Sequence, residues 1–378
     1  MTPIAPCGKP LARHALFELI VFGGFCLLPM ILQISRLDRL IPSMELRSLA
    51  TFPLRPEKMA DVQESLIELD AYLEDHFGGR PMWIRLNSRL YKAVQDSASD
   101  AVVVGADGWL FLGETNQVLD RYRGIRRFQP VQLEVWRAEW VHRKTWLEDR
   151  DIPLYLAIIP DKHSIYGQHL PARYDQKGRV PTDALVAFMG DQFPILDLRI
   201  IMNLYAEKGG LPLYQKLDTH WTDWGSFLAY EEMMKWLRVD FPAIKIIQAS
   251  ELDTPVGAMP SGGLGRMLGL NMTRENFAQL EMHTTRILSS RGESYRVDGI
   301  HTRSGATRAP RLLILCDSFV NGYMAQFISE SFSEVYYYHH GGMTFDKAII
   351  EEVQPDLVLY AVVERLIPFT LPPMCPPE

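Results

Sequence analysis

The stretch Arg311-Leu-Leu-Ile-Leu-Cys-Asp-Ser-Phe-Val-Asn321 decides the fold. Its short apolar run, Leu312 to Leu315, has the length and composition of a buried strand. The run delivers Asp317 and Ser318 at its C-terminal end, the edge where open α/β sheets place their ligands. A serine there becomes a nucleophile only when a neighbouring base takes its proton. Leu217-Asp218-Thr219-His220-Trp221, roughly a hundred residues earlier, supplies such a base. Asp317 and Ser318 also suit a plainer task, because both residue types cap helix N-termini well.

Outward from this stretch, apolar runs alternate with helical patterns. Residues 101–104 and 109–112 read as short strands around Asp107-Gly108, a hairpin signal. Pro130 opens a helical stretch to about Asp149, carrying Leu133, Trp136, Trp140 and Leu147. Residues 153–159 form a strand-like run that ends in Pro160-Asp-Lys-His-Ser164, polar residues again following a strand. Next come a helix over 182–189, a strand over 195–198 and a helix over 202–208 stopped by Gly209-Gly210. Thr222 is placed to cap a helix from Asp223 to about Arg238. Residues 244–310 are less regular and read as an insertion of loops and a few short strands, with 303–308 a polar, basic linker. A helix over 322–328, a strand over 334–338, a helix over 345–352 and a last strand over 357–362 complete the pattern. Such alternation predicts an α/β layer architecture with a mostly parallel sheet.

The N-terminal part has a different character. From Ala15 to Ile34 the chain is apolar apart from Glu18 and Gln33, long enough to cross a membrane if helical. No small-residue cleavage site follows at Ser35-Arg36-Leu37-Asp38-Arg39, so 15–34 reads as a membrane anchor or uncleaved signal segment behind a short segment 1–14. Lys9 and Arg13 nearly balance Arg36 and Arg39, which leaves its orientation open. A buried N-terminal helix is the soluble alternative. Residues 35–55 serve as a linker, and Pro56 can start a helix whose Val62, Leu66, Leu69 and Leu73 share one face. A further helix is expected from Trp83 to about Val94. The main domain is expected over 56–367, its insertion at about 244–310, and 368–378 forms a proline-rich tail.

Composition narrows the function classes. With 47% hydrophobic and 22% charged residues, the 378-residue chain can bury a sizeable core. A formal charge of −7, without a basic aromatic stripe, argues against nucleic acid as a partner. Cys7, Cys26, Cys316 and Cys375 are too scattered for a disulfide framework. His163, His169, His220 and His339-His340 match no ligand spacing, so no metal is expected. No glycine fingerprint for a nucleotide cofactor is present, and no cofactor is expected.

Ser318, His220 and Asp218 supply the three groups of a nucleophilic acyl-transfer site. Histidine has the pKa to take the serine proton and return it to a leaving group. A carboxylate orients the imidazole and offsets the charge that develops on it. Asp218, two residues from His220, fits that part, and Asp317 is another candidate. The Ser318 amide is the first oxyanion donor to consider, with Asn321 or the Gly341-Gly342 loop as a second. Lys162 and Tyr166, at the end of the 153–159 run, are placed to line a cleft. Lys162 paired with a surface acid and Tyr166 part-buried are their plainer readings. Trp221 and Arg80 are further candidates for substrate contact, the first by stacking on a sugar and the second by binding an anion; core packing and pairing with Asp75 are the alternatives.

Cys316-Asp317-Ser318-Phe319 resembles the Gly-Asp-Ser block of SGNH-type hydrolases. Together with Asp218-Thr-His220-Trp221-Thr222 it is similar to the variant of that fold in the periplasmic alginate O-acetyltransferases of the AlgJ/AlgX family. Glu45-x-Arg47, Asp75-His-Phe77-Gly-Gly-Arg80 and Val103-Val104-Gly105-x-Asp107-Gly108-Trp109-Leu110-Phe111 fit in the same order. So do Pro160-Asp-Lys162-x-Ser164-Ile-Tyr166, Leu170-Pro171 and Glu364-Arg365. One departure is Cys316, where the family usually has glycine; at a strand end it packs as a small hydrophobe.

The resemblance implies a three-layer SGNH hydrolase-like fold, with Ser318 as nucleophile through an acetyl-serine, His220 as base and Asp218 as orienting acid. It implies O-acetylation of an exported polysaccharide in the periplasm; together with the apolar run at 15–34, the expectation is a protein anchored to the inner membrane through its N-terminal helix. A multispanning membrane O-acyltransferase would supply the acetyl group. Arg80, Lys162 and Arg365 are candidates for a local basic groove if the polymer is a polyanion. Two alternatives keep the same residues: a carbohydrate acetylesterase using water as acceptor, and a non-catalytic polysaccharide-binding or assembly subunit.

Overall fold

A computed structural model of the chain describes residues 22–24, 27–29, 31–32, 50–53, 62–80, 82–83, 100–260, 262–268, 270, 273–295, 297–339 and 345–370. Most of the expected anchor and of the 83–94 helix, Glu45-x-Arg47, the Gly341-Gly342 loop and residues 371–378 lie outside them. Among the described residues no helix is long and apolar enough to cross a membrane. Two compact units divide the chain, Met1–Val94 with Arg266–Leu270, and Gln95–Gly265 with Asn271–Glu378. In the first, the helix Val62–Asp75 forms as its pattern predicts, with Leu66 and Leu73 of the apolar stripe exposed.

The second unit is built on a sheet of seven strands: β1 (Leu154–Ile159), β2 (Ile195–Asp197), β3 (Ile287–Tyr295), β4 (Val297–Ser304), β5 (Arg311–Cys316), β6 (Glu334–His339) and β7 (Leu357–Val363). Their spatial order is β2-β1-β7-β5-β6-β4-β3. The neighbours from β2 to β6 all run parallel, and β4 and β3 add an antiparallel ribbon beyond β6. Every residue of β1 and β7 is buried, as the unbroken apolar runs require of strands covered on both faces.

Alternate residues of these strands enter opposite cores, the period-two consequence of strand geometry. Tyr155, Ala157 and Ile159 join Leu312, Ile314, Leu359 and Ala361 on one face. Leu154, Leu156 and Ile158 join Leu313, Leu315, Val358 and Tyr360 on the other. The first face is covered by α3 (Leu198–Lys208), α4 (Asp223–Leu237) and α5 (Ala325–Ser331), and the second by α1 (Pro130–Glu148), α2 (Pro181–Met189) and α6 (Lys347–Val353). Helices thus cover both faces of a mostly parallel sheet, the three-layer α/β/α arrangement. Each fully buried aliphatic side chain contributes about 1.5–3 kcal/mol relative to exposure.

Local signals account for the boundaries. Pro130 is the first residue of α1, where its missing N–H costs nothing, and the Gln129 and Gln132 side chains cap reciprocally. Asp197 and Thr222 cap α3 and α4 with their side-chain oxygens. Between strands Val102–Val104 and Leu110–Leu112, Asp107 and Gly108 take φ of 55° and 80°. The Trp109 N–H donates to the Ala106 carbonyl at 3.0 Å, a two-residue turn of the type Asp-Gly favours.

The sheet extends further than the sequence pattern suggests. Residues 287–304, expected within an irregular insertion, form the β3–β4 ribbon, and the expected linker 303–308 begins with the last two residues of β4. Sequences such as Ser-Ser-Arg-Gly-Glu-Ser over 289–294 carry no apolar alternation. Main-chain pairing with β6 places this ribbon, which a reading based on hydrophobic periodicity does not detect. The earlier part of the insertion does consist of short pieces: two-stranded pairings of Leu252–Asp253 with Glu281–Met282 and of Val256–Pro260 with Arg274–Ala278.

Candidate active site

Strand β5 ends at Cys316, between Ala361 of β7 and His339 of β6. Cys316 is fully buried among the apolar side chains under α4 and α5, and burial pushes its thiol well up. It packs as a small hydrophobe at the strand end. Asp317 then turns the chain. Its Oδ1 accepts from the Phe319 N–H at 2.9 Å, its Oδ2 accepts from the Val363 N–H at 2.7 Å, and its carbonyl accepts from Asn321 at 3.1 Å. Asp317 therefore caps the following helix and ties it to the end of β7, and burial raises its carboxyl. The capping reading is right for this residue.

Ser318, at the start of that helix, is exposed. Its Oγ lies 2.8 Å from His220 Nε2, and His220 Nδ1 lies 2.6 Å from Asp218 Oδ1. The three groups form one hydrogen-bonded series. Asp218 also accepts from the His220 backbone N–H at 3.1 Å through Oδ1, and from the Gly263 N–H through Oδ2. Burial would raise this carboxyl. Hydrogen bonds from the His220 ring and from the Gly263 and His220 amides outweigh that effect and hold it below the usual carboxylate range. Asp218, rather than Asp317, is thus an ionised acceptor in register with the imidazole.

A narrow loop holds the histidine. Tyr214 and Trp221 form an antiparallel bridge, and the Gln215 N–H donates to the His220 carbonyl at 3.1 Å. Gln215 Nε2 donates to the Trp221 carbonyl and to the Tyr323 hydroxyl, both at 3.0 Å. A π-helical turn, Val320–Met324, follows the serine and brings Tyr323 against the imidazole, their rings stacked with centroids 5.1 Å apart. Phe319 flanks the same imidazole with a centroid separation of 4.7 Å.

The remaining expected site residues have varied fates. Lys162 does not line a cleft: it is 2% exposed, and its Nζ donates to the carbonyls of Gln215, Lys216 and Asp218 at 2.7, 3.0 and 2.8 Å. An ammonium has three protons, and all three are used. Trp221 is also fully buried; its Nε1–H donates to the Phe319 carbonyl at 3.1 Å, and its ring meets Phe319 edge-on. It packs the serine's turn and offers no face to a sugar. Tyr166 is half-buried, stacked on Trp109 at 4.3 Å, its hydroxyl accepting from the Leu213 N–H at 3.0 Å. Asn321 lies on the π-helical turn, its Oδ1 buried and unpaired among the described residues. Arg80 belongs to the other unit, half-buried, with its amide donating to the Phe77 carbonyl at 2.9 Å.

Arg365 is committed too: its backbone N–H donates to Asp161 at 2.8 Å and its guanidinium pairs with the same carboxylate. Glu364 accepts from Ser164 at 2.6 Å and from Arg199 at 3.2 Å. The 160–166 and 364–365 blocks therefore meet in space, bracing the ends of β1 and β7. Of the three cations expected to form a basic groove, Lys162 is buried on its carbonyls and Arg365, half-buried, is paired with Asp161.

A mostly parallel three-layer sheet, with serine, histidine and carboxylate hydrogen-bonded in series at its C-terminal edge, defines the class of SGNH hydrolase-like domains. A family model described as an SGNH hydrolase-like domain, acetyltransferase AlgX, matches residues 102–356, and the chain belongs to that family. The probable alginate O-acetylase AlgJ of Pseudomonas fluorescens is 24% identical over 231 residues, covering 57% of this chain and 53% of that relative. The chain spans about half the length of the curated relative it matches. Among solved structures, Bacillus cereus PatB1 covers 72% of this chain and 100% of its own, with a TM-score of 0.53 at 15% identity. A DHHW family protein from Eubacterium siraeum covers 71% and 92%, with a TM-score of 0.52 at 13% identity. At those identities the two structures bear on the fold.

Proposed function

We propose that the protein is an O-acetyltransferase that moves an acetyl group onto hydroxyls of an exported polysaccharide through an acetyl-Ser318 intermediate. The observation that carries this reading is the 2.8 Å and 2.6 Å series from Ser318 through His220 to Asp218, in a member of an acetyltransferase family. Ser318 Oγ attacks the acetyl carbonyl while its proton passes to His220 Nε2. The imidazolium, stabilised by Asp218, returns that proton to the departing donor group. A sugar hydroxyl then gives its proton to His220 and attacks the acetyl-serine, which restores Ser318. The first amide of the serine's helix has no intrahelical acceptor and is the first candidate to hold the oxyanion. Asn321 is the second.

The AlgJ relative's description as an alginate O-acetylase supports an exported polysaccharide as acceptor. On this reading the protein works in the periplasm, anchored to the inner membrane by residues 15–34, beside a multispanning membrane O-acyltransferase that supplies acetyl. Exposure of Ser318 also favours a second reading, acetylesterase activity, since water can reach the acyl-serine.

Intact-mass spectrometry after incubation with a small activated acetyl ester tests the proposal. The parent is expected to gain about 42 Da at Ser318, the mass of acetyl replacing hydrogen, and Ser318→Ala is not. Added oligosaccharide should receive the acetyl group; loss to water alone would select the esterase. Acetylation of polymer unchanged by Ser318→Ala would overturn the assignment.

A further inference from the structure

Lys162 lies beneath the loop that presents the histidine, and its surroundings are those of a built cation site. Its three carbonyl acceptors come from Gln215, Lys216 and Asp218, all on one side of that loop. Trp109 and Phe111, from the small hairpin, place their rings 5.2 Å from the ammonium. The Leu110 N–H of the same hairpin donates to the Lys216 carbonyl at 2.8 Å.

The insertion holds the loop from its amide side. Glu275, on the strand Arg274–Ala278, accepts from the Leu217 N–H at 3.0 Å and from the Lys216 N–H. The Gly265 N–H donates to the Leu217 carbonyl at 2.9 Å, and the Gly263 N–H donates to Asp218 itself. Residues 215–218 are thus gripped between an ammonium on their carbonyls and a carboxylate on their amides.

We infer that Lys162 and Glu275 are positioning residues for the acyl-transfer site: together they hold the 215–218 segment so that Asp218 meets His220 and His220 meets Ser318. This inference rests on the proposed acyl-transfer function of Ser318. Neither residue touches the reacting atoms, and neither holds substrate. The ammonium contributes direction as well as charge, since its three protons meet three carbonyls of one loop at a single buried point, the Lys216 carbonyl being shared with the Leu110 N–H. Burial pulls Lys162 down to about 7 against the raising fields of Glu275 and Asp218, so the carboxylate across the loop helps keep the ammonium charged. Because Glu275 comes from the insertion, that segment takes part in building the site.

The experiment uses the full chain and three variants, Lys162→Met, Lys162→Gly and Glu275→Gln. The rate of Ser318 acetylation by an activated acetyl ester is read by intact mass. The low-field proton shared by Asp218 and His220 is read by NMR, which needs no turnover. In Lys162→Met the acetylation kcat should fall by about 10²-fold, with KM for the ester within about twofold and the low-field proton shifted or broadened. Butylammonium, the size of the deleted side chain, should restore part of the rate to Lys162→Gly, and butanol of the same size should not. Glu275→Gln, which keeps one acceptor of two, should lose roughly tenfold and show the same proton change.

A folded Lys162→Met with unaltered rate and proton signal would overturn the inference, as would a rate loss with the signal unmoved. If Lys162→Met fails to fold, Glu275→Gln decides from the other side of the loop. If the parent itself takes up no acetyl at Ser318, the acetyltransferase reading falls, and the proton signal alone still decides whether the pair positions Asp218.

Discussion

Replacing Gly262 by alanine should disable the site while leaving the sheet intact. The backbone φ of Gly262 is not in the left-handed region, so the constraint is space alone. A Cβ at this position would lie 1.9 Å from Asp218 Oδ2 and 2.5 Å from Asp218 Cγ, where ordinary Cβ contacts begin at 3.4 Å. To reach even that limit the carboxylate must retreat by about 1.5 Å, or the 262–263 backbone must move and take the Gly263 amide with it. If the carboxylate retreats, its 2.6 Å bond to Nδ1 is lost, unless His220 follows and its Nε2 leaves the serine. A displacement of about 1 Å at a reacting group costs ~10²-fold in rate, and loss of the orienting acid's function up to ~10⁴-fold. We therefore expect Gly262→Ala to lower kcat for acetylation of Ser318 by about 10²–10⁴-fold, with KM for a small acetyl ester changed little. Stopped acetylation followed by intact mass gives the rate, and thermal unfolding checks the fold. A folded Gly262→Ala enzyme within twofold of the parent would refute the claim that Asp218 needs this close backbone approach.

Two further outcomes follow from the site's electrostatics and packing. The Asp218 carboxyl sits below its unfolded value, so its contribution to stability is fully present above the ordinary carboxylate pKa of about 4 and disappears as pH falls toward the folded value. Acid unfolding of the parent should accordingly be steeper than that of Asp218→Asn below about pH 4, and parallel curves would contradict this. Trp221→Phe removes the hydrogen bond to the Phe319 carbonyl and part of a buried ring, and should cost about 1–3 kcal/mol in denaturant unfolding with KM for an oligosaccharide acceptor unchanged. A raised acceptor KM at full stability would instead return Trp221 to substrate contact.

Much of the candidate site is legible in the chain because its signals are local. Asp317, Ser318, Asp218 and His220 lie where an apolar run or a loop meets a helix start, and the Thr222 cap confirms where that helix begins. Tyr323 carries a weaker signal, five residues beyond the serine, since a π-helical turn rather than an α-helical one brings it to the histidine. Glu275 carries none: it lies 59 residues from Lys216, in a segment without regular pattern. The sequence leaves Lys162 and Trp221 open between substrate contact and pairing or core packing, and burial decides against substrate contact for both; Arg365, a candidate for a basic groove, pairs with Asp161 instead.

The sequence by itself determined the alternation of strands and helices, the parallel sheet and the edge at which the serine emerges. These follow from apolar periodicity, caps and turn residues within a few positions of one another. Tertiary structure decided which carboxylate serves the histidine, which cations are buried, and that the 287–304 ribbon extends the sheet. Those outcomes depend on main-chain groups brought together across long separations: carbonyls around Lys162, amides on Asp218, and a strand edge on β6. Main-chain donors and acceptors are the same at every residue except proline, so no side-chain pattern announces where they will meet.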